Sequence, residues 1–88
     1  MTLTFPNRSR SYDEAGRRIR FVGHDGMFQI SFSVAADAMA KMQPATTADE
    51  AGYLATFDTE SNSIHDVAAR AYGRTRKSVY VLTAADFS

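Results

Sequence analysis

The chain has 88 residues, 44% hydrophobic and 11% aromatic, with ten lysines and arginines balancing ten aspartates and glutamates and no cysteine. That length makes one domain, residues 1–88, burying about two thirds of the extended chain's surface, and the apolar content is too high for disorder. Without cysteine there is no disulfide, thiolate nucleophile or thiolate zinc site. No apolar run approaches the roughly 20 residues of a membrane span, and the amino terminus lacks a secretory pattern, so the expectation is a soluble cytoplasmic protein with no membrane partner.

Leu3 and Phe5 alternate with Thr2 and Thr4, which predicts a short first strand stopped by Pro6. Asn7 to Gly16 reads as polar and irregular, with Tyr12 its anchor; the glycosylation triplet Asn7-Arg8-Ser9 has no meaning in an unexported chain. The central element is a β-hairpin over 17–34. With Asp25-Gly26 as its two-residue turn, Ile19 lies opposite Phe32, Phe21 opposite Ile30 and Gly23 opposite Phe28. The other face then carries Arg18, Arg20 and Val22 against Ser33, Ser31 and Gln29. One face needs a cover and the other is left for solvent or a partner.

Ala35, Met39 and Met42 recur at helical spacing, predicting a short helix to about Gln43, before Pro44. A second helix starts at Thr46 or Thr47, each followed three residues on by an acid, and carries Leu54, Phe57, Ile64, Val67, Ala68, Ala71 and Tyr72 to a stop at Gly73. Unbroken over 47–72 it would be roughly 39 Å long at ~1.5 Å per residue, against a domain of about 31 Å diameter. The stretch 58–63 is polar and weak in helix propensity, so a break there, with Ser63 and Asp66 capping a second piece, is one resolution. The preferred one is a continuous helix, because positions 54, 57, 61, 64, 68 and 71 hold their phase across the gap. Ser78 to Thr83 is a strand apolar on both faces, hence a central or interface strand. The expected fold is α+β: a small antiparallel sheet of three to four strands with a short and a long helix on one face, in the order β-β-β-α-α-β.

This order of elements resembles the family of small bacterial proteins known as domain of unknown function 1488. The residues that carry the likeness are Phe5-Pro6, Tyr12-Asp13, Ile19-Arg20-Phe21 leading to Asp25-Gly26, Val34 to Ala38, Phe57-Asp58 with Ile64, and Leu82 to Phe87. The resemblance implies a small α+β fold and brings no activity, ligand or site residue. Gly52 and Ser61-Asn62-Ser63 depart from the helix-favouring residues expected there.

Charge is segregated along the chain. Residues 1–20 carry five arginines against two acids, a sum of +3; residues 21–69 carry Lys41 against seven acids, −6; residues 70–88 return to +3. His24 and His65 sit in different elements and do not read as a metal pair, and no nucleophile elbow or phosphate loop is present. No catalytic residue, cofactor or metal is therefore expected. Nucleic-acid binding through Arg18 and Arg20, joined by Arg8 and Arg10 and by Arg74, Arg76 and Lys77, with Tyr12 stacking on a base, is an alternative not favoured by the neutral charge and a pI near 6.7. A small-molecule binder is a further one. The leading expectation is a non-enzymatic accessory or regulatory protein acting through protein contacts, as a homodimer or with another protein. Its candidate interaction surface comprises Arg18, Arg20, Tyr53, Tyr72, Arg74, Arg76 and Lys77, with helix 47–72 supplying the dimer contact and its two tyrosines as anchors.

Overall fold

The computed structural model describes residues 3–5, 10–45 and 47–87. Four strands, β1 (Arg10–Asp13), β2 (Arg18–Asp25), β3 (Phe28–Ala35) and β4 (Val79–Leu82), form one sheet in the order β1-β2-β3-β4. The first three are antiparallel, and β4 runs parallel to β3. Between β3 and β4 the chain makes α1 (Ala36–Met42), α2 (Glu50–Thr59) and α3 (Ser61–Arg74), and a 3-10 turn at Ala84–Phe87 follows β4. The α+β expectation holds. The sheet is mixed rather than antiparallel, because a parallel neighbour for β3 needs a long crossover and the helices supply it.

Period-two alternation decides what the helices cover. Ile19 and Phe21 of β2, Ile30, Phe32 and Val34 of β3, and Tyr80 and Leu82 of β4 share one face and pack against Ala38, Met39, Tyr53, Phe57, Ile64, Ala68 and Tyr72. Phe32, Ile19, Met39, Ile64, Leu82 and Val34 are fully enclosed.

The hairpin turn lies one residue later than the sequence predicts. Asp25 pairs with Phe28, leaving Gly26-Met27 as the loop, and Gly26 has φ 62°, the conformation that the first position of such a loop takes most cheaply as glycine. Every cross-strand partner therefore moves by two: Ile19 faces Val34, Phe21 faces Phe32 and Gly23 faces Ile30. A shift of two preserves faces, so the division into an apolar and a basic side survives.

The predicted first strand is reduced to one antiparallel bridge between Thr4 and His24; Thr2 and Pro6 lie outside the described residues. The true β1 falls in the segment that reads as irregular. Its pattern is set by tertiary contacts: Tyr12 stacks on Tyr53 at 5.6 Å, and Arg10 makes a bidentate pair with Asp58 at 2.8 Å, both on the helix side.

The long helix is broken, against the preferred expectation, and the break falls within 58–63. Glu60, at φ −100° and ψ 16°, ends α2 and precedes α3. The pieces are roughly 15 and 21 Å long at ~1.5 Å per residue, and both fit a body of 36 × 24 × 22 Å. Ser61 to Ser63, whose side chains compete for backbone groups, weaken the helix where a straight rod would leave the sheet. The Gln43 side chain donates to Glu60 at 3.2 Å, fastening the joint to the end of α1. The expected second-piece caps Ser63 and Asp66 lie inside α3, and Gly73 precedes its last residue instead of ending it.

The cap of α2 is Asp49, which accepts from the Gly52 N–H at 2.8 Å and from the Thr47 hydroxyl at 2.9 Å; Thr46, the other predicted start, is outside the described residues. A Cβ on Gly52 would come within 2.3 Å of the Thr47 carbonyl oxygen, so the apparent departure from helix propensity is what lets the chain fold back against the cap. Finally, β4 is an edge strand, with Tyr80 and Leu82 in the core and Val79 and Val81 on the uncovered face.

Replacing Phe32 with alanine is expected to cost about 3–5 kcal/mol, while Val79→Ala stays within about 0.5 kcal/mol. The urea midpoints of the two variants against the parent check both.

Candidate functional site

The side of the sheet away from the helices is a mixed patch. It carries Ser11 and Asp13 from β1, Arg18, Arg20, Val22 and His24 from β2, Gln29, Ser31 and Ser33 from β3, and Val79 and Val81 from β4. Val79 is 60% and Val81 52% exposed. Together with Arg20, Val22, Ser31 and Ser33 they line a hollow of about 450 Å³. At one end Arg18 donates to Asp13 at 3.1 Å. The Asp13 carboxyl is held below its ordinary range, first by the Gly16 N–H and then by Arg18 and Arg20.

The predicted surface residues do not form one patch. Arg18 and Arg20 lie on the open face as expected. Tyr53 and Tyr72 are buried in the core, so neither is a surface anchor. Arg74 at the end of α3, and Arg76 and Lys77 between α3 and β4, are exposed; this end of the sheet is the one with the hairpin turn, since Arg76 comes to 4.0 Å from Asp25. Arg18 and Asp25 are the two ends of β2, roughly 23 Å apart at ~3.3 Å per residue, which separates the two basic groups by the length of the sheet.

The nucleic-acid constellation is dispersed too. Tyr12 faces Tyr53 and Arg10 is held by Asp58. Arg8 lies outside the described residues. His24 is on the open face, whereas the His65 ring stacks on Phe5 at 4.1 Å and packs against Phe21 and Phe57. Among the described residues, no three His, Asp or Glu side chains converge as metal ligands would.

The second polar centre is one that sequence reasoning missed. Asp25, 7% exposed, ends β2 on the core face, and its carboxylate accepts a hydrogen bond from the Tyr72 hydroxyl of α3 at 2.5 Å. The Arg76 guanidinium lies 4.9 Å from the centre of the Tyr72 ring. Tyr80 packs edge-on to Tyr72, accepts from the Lys77 N–H at 2.7 Å and donates to the Thr75 carbonyl. The signal was available: continuing the alternation from Ile19 through Phe21 and Gly23 puts Asp25 on the apolar face, where a carboxylate requires a donor. The hydrogen bond to Asp25, with burial and the aspartate charge, pushes the Tyr72 phenol above its ordinary range, and Arg76 opposes the shift.

The profile of a family described as "Protein of unknown function (DUF1488)" matches residues 3–82. The chain belongs to this family. The match takes in all four strands and the three helices, so the open face and the Asp25–Tyr72 tie both lie within the family's domain. No curated protein and no solved structure matches the chain.

Because the phenol of folded Tyr72 ionises above the unfolded value near ~10, the stability it contributes is fully present below that value and is lost as pH rises through the higher folded one. An absorbance titration is expected to show a late phenolate step that disappears in Tyr72→Phe. In that variant Asp25 keeps its burial without its hydroxyl donor, so its urea midpoint at neutral pH falls below the parent's.

Proposed function

We propose that this protein is a non-enzymatic accessory protein of the bacterial cytoplasm that works by protein contact through the open face of its sheet. The observation that carries the reading is the pair of half-exposed valines, Val79 and Val81, set beside Arg20 on a face that the chain's own helices leave uncovered. Apolar side chains grouped in this way and rimmed by polar ones mark an interaction surface more often than valines scattered singly. Self-association through helix 47–72 loses its support, since that helix is interrupted at Glu60 and its tyrosines face the core. A different protein is favoured over a second copy, because a two-fold packing of sheet faces would bring Arg18 and Arg20 of both copies into one interface.

The test places a photo-crosslinking amino acid at Val81 on the sheet face or at Ala69 on the exposed side of α3, in cells. Discrete protein adducts are expected from position 81 and not from position 69. Sedimentation of the purified chain is expected to show a monomer. Adducts at both positions alike, or at neither, would remove the reading, and a dimer whose own chains crosslink through position 81 would restore the homodimer.

A further inference from the structure

The strand registers align Ser11, Arg20, Ser33 and Val81 in one row across all four strands. Neighbouring strands are about 4.8 Å apart, so Arg20 stands between two serines on the same face. Ser33 is 8% exposed as a residue, and among the described residues no buried side-chain oxygen is left without a partner, so its hydroxyl is an ordinary donor at the floor of this face. Arg10 and Arg18 are engaged by Asp58 and Asp13, while Arg20 makes no ion pair within 4.0 Å among the described residues. One row thus holds a guanidinium that makes no ion pair among the described residues, although its charge also acts on Asp13, and two serine hydroxyls, with Val22 and Val79 in the adjoining row.

We infer that this row binds a carboxylate of a partner protein, presented by an acidic residue with an apolar neighbour. The inference rests on the protein-contact reading and names the chemistry of the partner. A guanidinium beside hydroxyl donors complements a two-oxygen anion, and charge-assisted hydrogen bonds are the strong ones. The exposed sides of Val79 and Val81 give the neighbouring residue an apolar strip. Because the hollow opens along those valines, a free small acid would keep much of its surface in water, whereas a peptide segment covers acid seat and strip together. Phosphates of a nucleic acid would meet the same arginine, but among the described residues this face carries no Phe, Tyr or Trp ring beside it, Tyr12 being turned to the helices and the His24 ring standing four residues along β2.

The test is a titration of the isotope-labelled full chain with N-acetyl-Val-Glu-Val-Glu-Val-amide, followed by backbone amide shifts. Saturable shifts at Ser11, Arg20, Ser33 and Val81 are expected, with affinity at least tenfold lower for the Gln-for-Glu peptide and for Arg20→Gln. Ser33→Ala is expected to weaken binding severalfold without lowering the urea midpoint, which a merely structural serine would not do. No shift in the row at millimolar peptide, or equal binding of the glutamine peptide, overturns the inference. So does saturation of the row by acetate or inorganic phosphate at the peptide's affinity, or by a thymidine oligonucleotide at a higher one. If crosslinking through position 81 persists unchanged in Arg20→Gln, the protein-contact reading stands and the carboxylate inference alone falls.

Discussion

Phe21 and Phe32 stand opposite one another on the β2–β3 ladder with ring centres 5.2 Å apart, and most of the molecule is arranged around that pair. Phe57 of α2 reaches Phe21 at 5.1 Å and Tyr80 of β4 reaches Phe32 at 5.1 Å, so two elements distant in sequence dock on one hairpin. Because successive strand residues point to opposite sides, fixing these aromatics inward fixes Arg18, Arg20, Ser31 and Ser33 outward. The core and the candidate binding face are therefore two results of the same register.

The helices contribute a cover of limited extent. Ile64, Ala68 and Tyr72 follow the buried stripe of α3, and Tyr53 and Phe57 that of α2. A single rod carrying both stripes would exceed the body, so the interruption at Glu60 lets both lie on the sheet. Asp25 and Tyr72 close the arrangement at the hairpin end, where strand and helix meet through a carboxylate and a phenol rather than apolar groups. Such a tie is directional, and it fixes the position of α3 along the sheet more sharply than hydrophobic contact does.

Much of this was legible in the residues. The alternation in 17–34 identified the hairpin, its two faces and their chemistry, because face depends on parity and parity survives a displaced turn. The period-3.6 spacing found α1 and, in the later helices, Phe57, Ile64 and Ala68, but not the Tyr53 and Thr56 that complete the buried side of α2. What could not be read depends on partners distant in sequence: β1 is a strand because Arg10 and Tyr12 find Asp58 and Tyr53, and β4 took an edge because the crossover returns the chain beside β3. Arg18 and Arg20 could be placed outward from the hairpin alone. Tyr53 and Tyr72 could not, since an amphipathic ring on a helix suits a core with a polar exit as well as a surface. Gly52 read as a blemish because propensity treats a helix residue without reference to the turn before it, and Thr47 occupies the space its side chain would need.

The parallel pairing of β3 with β4 gives the fold an order in time. On the ribosome β3 emerges next to β2, with which it forms a local hairpin, but its other edge acquires a neighbour only after residues 36–78 have been made and β4 follows. Throughout that interval the backbone groups of Ser31 to Val34 that will later meet β4 face water on a strand already carrying Phe32 and Val34. The nascent chain thus exposes a sticky edge for longer than an all-antiparallel meander would, and Ser31 and Ser33, alternating with the apolar residues, keep the second face of that strand polar while it waits.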